Sequence, residues 1–325
     1  MTLRTLARLL VAAGVALAAT TALAADFPEK PIRLVNPYPA GAGAMDTAAR
    51  VMAEKIGARL GQPVVIDFRP GAGGLVAAQA VARSPKDGYT LYFGASSALG
   101  FSKLINKDLG YDPLKDFTPI AMLGTVPVGL FVAANSNIKS LQDLIAVGKS
   151  NPESINYGSP GIGTVTHIAV LMFEERSGAK YKHIPYSGAL NYWADLVGGT
   201  LQAVAGGITG GMPMVKEGRL RLLATATASR SQFTPDVPAV GEFFPGYDAL
   251  AWLGLVVPSG TPEPVVAKLE GATLEAFRDP GTKTSLGNAG IEVQPLDRKA
   301  FAAKMVGDLK LWETALGKAG LLVKP

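Results

Sequence analysis

Strands and helices alternate along this chain, and the alternation predicts an α/β protein of two domains, each wound around its own sheet, joined by a two-crossing hinge. Two observations carry that prediction. Residues 30–97 read strand (32–35), loop, helix (46–60), strand (64–68), Gly-rich loop, helix (75–83) and strand (90–93), an order that implies parallel strands with right-handed crossovers. A second series begins near Ile120, after which the chain ends in amphipathic helices over 264–278 and 298–318. About 300 residues exceed what one hydrophobic core usually holds. The second series is therefore expected to be a domain inserted into the first, with 25–123 and 253–325 on one side and 124–252 on the other.

Each element has a local reason. In the first series Ile32, Leu34 and Val35 make an apolar strand, and the loops 37–45, 69–74 and 94–100 share the rim beyond the carboxyl ends of the strands, where ligands gather in such sheets. Ser96 and Ser97 either lend hydroxyls to a bound oxyanion or cap the next helix. In the second series the strand 128–133 is followed by Ser140 with Asp143 three residues on, the signature of a capped helix over 141–149. A strand at 182–185, a helix at 191–197 and a strand at 220–225 follow. Residues 196–215 are apolar for about the length of a membrane span. They hold six glycines and a proline, which suits a buried strand and a close-approach loop better.

The stretch 155–175, INYGSPGIGTVTHIAVLMFEE, organises the second series. Ile155 and Tyr157 open a strand, Gly158, Pro160, Gly161 and Gly163 break it, and Ile168, Leu171, Met172 and Glu175 resume at helical spacing, with Thr164 or Thr166 as cap. A helix start leaves backbone N–H groups unpaired at the positive end of the macrodipole, and glycines let a ligand approach that backbone. Residues 33–50 repeat the design, with a helix entered around Asp46. The two helix starts are expected to face each other across a cleft and to hold one small carboxylate.

Composition narrows the function classes. With no cysteine the chain has no disulfide, no thiol nucleophile and no Cys-ligated metal. Arg4 and Arg8, an apolar run over 9–19 and Ala22-Leu23-Ala24 read as a Sec-type signal peptide over 1–24, which predicts an exported, diffusible protein. Removing those two arginines takes the formal charge from +5 to a mild +3, which argues little for nucleic acid. Two histidines in no HExxH-like spacing make zinc improbable, and no GxSxG elbow occurs. Gly161-Ile-Gly163 and Gly41-Ala-Gly43 lack the third glycine of a dinucleotide fingerprint, so no cofactor is expected.

Seven ordered blocks then carry a resemblance: FPEKPIRLVNPYPAGAG from Phe27, RPGAGG from Arg69, DGYTL from Asp87, YDPLKDFTPIA from Tyr111, NYGSPGIGTVTH from Asn156, HIPYSG from His183 and GLVVPSGTP from Gly254. Over 27–320 the chain resembles the Bug family, the periplasmic solute receptors of tripartite tricarboxylate transporters. The resemblance implies a type II periplasmic binding protein fold, hinge closure, a small carboxylate held by the first loop and by the loop before the GTxxH helix, and the membrane subunits of such a transporter as partner. A monomer is expected.

The candidate ligand-binding residues are Tyr38, Pro39, Ala40, Gly41, Ala42, Gly43, Met45 and Asp46 from the first loop, and Ser96 and Ser97 from the third. The second domain adds Ser159, Gly161, Gly163, Thr164, Asn191, Tyr192, Gly206 and Gly207; no catalytic or metal residue is expected. Gly206-Gly207 stands where many members carry Asp-Asn, so extra room is expected there, walled by Tyr38, Tyr192 and Trp193 and suited to a bulkier or aromatic carboxylate. Each residue also has a plainer reading: His167 and His183 as satisfied core groups, Tyr38 packed under its loop, Tyr192 and Trp193 turned into the second domain's core, Trp252 and Trp312 as core. Two function classes follow, a non-catalytic receptor delivering a carboxylate to a transporter or a sensor, and a secreted enzyme using Asp46 with a Ser or His. The absence of a paired acid and base favours the receptor.

Overall fold

The computed structural model describes residues 27–41, 44–186 and 189–323. The expected leader and the loop residues Ala42 and Gly43 lie outside the described residues. In chain order the elements are β1 (Ile32–Asn36), α1 (Ala44–Leu60), β2 (Val64–Phe68), α2 (Leu75–Ala82), β3 (Thr90–Ala95), a π-helical turn (Ser97–Phe101), α3 (Ser102–Ile105) and β4 (Phe117–Val126). Then come β5 (Val128–Ala133), α4 (Leu141–Ser150), β6 (Asn156–Ser159), α5 (Val165–Ser177), β7 (Lys182–Pro185), α6 (Ala189–Val197), β8 (Ala203–Gly207), α7 (Ile208–Lys216), β9 (Leu220–Thr225) and α8 (Val240–Phe243). The chain closes with β10 (Ala251–Pro258), α9 (Glu263–Arg278), α10 (Pro280–Asn288), β11 (Glu292–Asp297) and α11 (Arg298–Lys318).

These strands make two sheets on one plan. The first runs β11-β4-β10-β3-β1-β2 and the second β7-β6-β8-β5-β9. β1 pairs in parallel with β2 and β3, as the βαβαβ order requires, and β10 joins β3 and β4 antiparallel. In the second sheet β6 is parallel to β7 and β8, and β5 is antiparallel to β8 and β9. Only Pro127 separates the last residue of β4 in one sheet from the first of β5 in the other, and its carbonyl accepts the Ile208 N–H (3.0 Å). The return passes through residues 226–250 into β10.

Strand alternation divides the apolar side chains between faces. Ile32, Leu34, Leu91, Phe93, Leu253 and Leu255 join Met52 and Leu269 in one core, whereas Val35, Tyr92, Trp252 and Val256 face the other way. That second face is covered by α11, whose Trp312 meets Phe101 edge-on at 5.4 Å while Phe301 meets Trp252 at 5.0 Å. α11 also lies against α5 of the second sheet, where Lys318 pairs with Glu175, so one apolar cluster runs through both halves. The Tyr247 hydroxyl donates to the Ala169 carbonyl on α5 (2.7 Å) and ties the returning segment to the same helix. α5 is thus docked along its length, and its N-terminus carries a loop.

The end of the chain is richer than two amphipathic helices. α10 has no apolar stripe of its own and starts because Asp279 accepts the Thr282 N–H (2.9 Å) and Pro280 suits the first turn. β11, with Gln294 and Pro295 in its middle, is a strand only because β4 offers it a pairing edge. Residues 196–215 form the end of α6, β8 and most of α7, and among the described residues no helix is long and apolar enough to cross a membrane.

Candidate functional site: a braced loop at the start of a helix

Thr164 is the N-cap of α5, its hydroxyl accepting the His167 N–H (3.4 Å). The same hydroxyl donates its single proton to the Gly161 carbonyl (2.7 Å), so at 2.9 Å it accepts from the Thr166 hydroxyl. Pinning the Gly161 carbonyl inward turns the N–H of the same planar peptide, that of Ile162, outward. Gly161 N–H is held by the Ser159 hydroxyl (3.2 Å) and Gly163 N–H by His167 Nδ1 (3.1 Å). The amides of Val165 and Thr166, at the head of the helix, find no partner among the described residues, and no acidic side chain stands in the first turn. Unpaired donors at the positive end of a 13-residue helix are an arrangement that favours an anion.

Beneath the loop lies a stack of rings. Tyr157 and His183 are register partners across β6 and β7, so their side chains share the sheet face that α5 covers. His183 stacks on Tyr157 at 4.8 Å and His167 stacks on His183 at 4.1 Å with 12° between the planes. His183 Nε2 lies 2.7 Å from the Ser159 hydroxyl. Burial, reinforced for His167 by His183, pushes both imidazoles down to about 4, so both are neutral at neutral pH. Because His167 Nδ1 accepts from Gly163, its proton is on Nε2.

The first loop is held differently. Asn36 Oδ1 accepts the Tyr38 N–H (3.1 Å), and Asp46 Oδ2 accepts the Gly41 N–H (3.0 Å) and the Arg50 guanidinium (3.0 Å). The hydrogen bond from Arg50, then that from Gly41, holds the Asp46 carboxyl below the usual range, so the start of α1 carries a negative charge of its own. Asp46 Oδ1 and Asn36 Nδ2 are buried with no partner among the described residues. Pro39, Ala40 and Gly41 are exposed, and Met45 packs at the edge of the first core. Tyr38 is partly buried, edge-on to Phe93 at 6.4 Å, and burial pushes its phenol up to about 12.

The third loop contributes backbone. Ser96 is buried, donates its N–H to the Trp252 carbonyl (3.0 Å) and stands at the cap position of the π-helical turn without a side-chain cap bond; Ser97 is half-buried. Just beyond that turn the two halves touch at the loop itself. A Cβ on Gly163 would come within 2.3 Å of Ile105 Cδ1, and Gly163 has φ +72°. The left-handed backbone favours glycine there, and a side chain would have to displace the end of Ile105.

The room expected at Gly206 is absent. A Cβ on Gly206 would meet the Trp193 indole at 2.8 Å and the Tyr192 hydroxyl at 3.2 Å. Tyr192 (2% exposed) and Trp193 (8%) are packed with Phe131, Leu196 and Leu201, so they are core aromatics and not pocket walls. Even face parity explains this: Gly206 follows Val204 onto the α6 side, whereas Gly207 follows Ala205 onto the α5 side and has open space before it. Asn191 is exposed. Sequence reading passed over the contact between His183 and Ser159, which lie 24 residues apart and meet only through the β6–β7 register. It expected unpaired amides at this helix start but did not single out those of Ile162, Val165 and Thr166, since which amide stays unpaired leaves no trace in residue type.

A family model described as "Tripartite tricarboxylate transporter family receptor" matches residues 48–321. The chain belongs to this family. Its members are periplasmic solute-binding receptors. Among curated relatives, a UPF0065 protein of Bordetella bronchiseptica is 36% identical over 317 residues, 95% of this chain and 93% of its own. Two solved receptors from Rhodopseudomonas palustris share the fold. Rpa4515 with adipate has a TM-score of 0.77 at 29% identity, covering 91% of this chain and 99% of its own. MatC with bound malate has 0.73 at 31%, covering 89% and 100%. The fold of this receptor is the two-domain periplasmic binding fold expected from its motifs.

Proposed function

We propose that this receptor works in the periplasm, captures a small organic carboxylate between its two sheet-centred domains, and passes it unchanged to the membrane subunits of a tripartite tricarboxylate transporter. The observation that carries the reading is the unpaired amide pair of Val165 and Thr166 at a helix start free of acidic side chains. The first loop closes over the other end of the ligand, with Tyr38 and the exposed Pro39, Ala40 and Gly41 as its contact surface. Pro127 and the return before Ala251 act as the hinge.

Two similar receptors carry adipate and malate, and these dicarboxylates are the first probes. With Tyr192 and Trp193 in the core, the aromatic wall expected around the ligand is reduced to Tyr38, which favours a short aliphatic acid over an aromatic one. Thermal shift and calorimetry against adipate, malate and benzoate, with product analysis by NMR, test the reading. It expects stabilisation by a dicarboxylate and no turnover. Binding with turnover would favour the secreted-enzyme reading, and loss of binding discrimination between an acid and its amide would remove the anion site.

A further inference from the structure

We propose that the stacked pair His167 and His183 tunes the affinity of this receptor from beneath the site, by fixing the peptide orientations of the 159–164 loop, without touching the ligand. The inference rests on the carboxylate-capture reading and adds two positioning residues to it.

The geometry is that of a capping arrangement in which an imidazole replaces the usual acid. Thr164 at the N-cap accepts the backbone N–H of His167, the third residue of the helix, and the side chain of His167 returns a bond to the backbone N–H of Gly163. In a capping box that return bond comes from Glu or Gln and goes to the N-cap residue itself. A Glu here would place an anion beside the donors meant for an anion. A neutral imidazole supplies the acceptor without the charge. The bond also consumes the Gly163 N–H and so holds the Ile162–Gly163 peptide at the entry to the helix whose Val165 and Thr166 donors are unpaired.

His183 performs the matching task at the other end of the loop. Ser159 is fully buried, and its hydroxyl accepts the Gly161 N–H while lying 2.7 Å from His183 Nε2. The two rings are parallel at 4.1 Å, so neither imidazole can rotate without displacing the other. Tyr157 backs the stack at 4.8 Å. Both ends of the donor loop are therefore braced by one stacked pair of rings, on the face of the sheet that α5 covers.

The test measures the affinity for adipate and for malate by calorimetry in the wild type and in His167→Ala, His167→Asn and His183→Ala. Asn places an amide oxygen near the position of Nδ1 and restores the acceptor for Gly163. His167→Ala and His183→Ala are each expected to weaken the better of the two probes by about tenfold or more, the worth of one misdirected charged hydrogen bond. His167→Asn is expected to recover most of that loss. The melting temperature of each unliganded variant separates positioning from general damage: equal affinity losses for Ala and Asn that track the fall in melting temperature would overturn the proposal. If the wild type binds neither probe, the capture reading itself fails. The brace is then judged by NMR on the unliganded protein, where His167 is expected as the Nε2–H tautomer with a scalar coupling from Nδ1 to the Gly163 amide. A proton on Nδ1 would overturn the brace whatever the ligand.

Discussion

The loops before α1 and α5 are built on one plan, strand, glycine-rich turn and helix start, yet they end as opposite electrostatic objects. Before α5 the hydroxyls of Ser159 and Thr164 and the imidazoles of His167 and His183 absorb the inward groups, leaving neutral surroundings and unpaired amides. Before α1 the ionised Asp46 occupies the positive end of the helix and is matched by Arg50. A carboxylate ligand gains from the first arrangement and is opposed by the second. The comparison teaches that a helix start is an anion site only if the protein has not already filled it.

Glycine substitution separates the two loops most strongly. Gly163→Ala meets both a left-handed backbone and the Ile105 side chain, and is expected to cost about 2–5 kcal/mol of stability by chemical denaturation. Gly41→Ala has φ +79° but nothing within 4 Å, and is expected to cost about 1–2 kcal/mol. Equal costs would erase the distinction between a packed loop and an open one.

Removing the cap sharpens the point. Thr164→Val loses the bond to Gly161 and the cap of α5, and about 1 kcal/mol of stability is expected to go with it. Because the hydroxyl acts within the loop, affinity falls through the freed Ile162 peptide, by about tenfold at most. A hundredfold loss in calorimetry, with stability unchanged, would mean that Thr164 bonds the ligand directly.

Acid should reach the second loop first. Both imidazoles titrate lower in the fold, at about 4, than in the unfolded chain, at about 6.5, so unfolding takes up protons between those values. Their contribution to stability is full above pH 6.5 and is lost as the pH falls toward 4. Asp46, held below its ordinary value, keeps its contribution over that window and loses it only in stronger acid. The melting temperature of the unliganded receptor is expected to fall between pH 6.5 and 4, and His167→Asn to flatten that fall. An identical profile in the variant would place the titrating groups elsewhere.

The smallest effect belongs to Asp46→Asn. It keeps an acceptor for Gly41 N–H while removing the charge, so affinity for malate is expected to rise by up to about fivefold, and the melting temperature to drop with the loss of Arg50 pairing. A tenfold loss of affinity would show that the Asp46 charge orients donors toward the ligand.

What the sequence determined by itself was whatever depends on neighbours in the chain. Apolar runs set β2, β5 and β9, the Ser140–Asp143 box set α4, and glycines with Thr164 announced the loop before α5. The family, too, was legible, because its motifs are contiguous blocks. Tertiary structure alone decided what distance in sequence hides. β11 and α10 have weak local signals and exist through β4 and a single Asp279 cap. Gly206 reads as empty volume in one dimension and is filled by Trp193 in three. The imidazole brace needs β6 and β7 in register and α5 laid across them, a coincidence of three segments that no local pattern encodes. Residue type prescribes side-chain chemistry, but which amides stay unpaired is settled only when every other donor has found its acceptor.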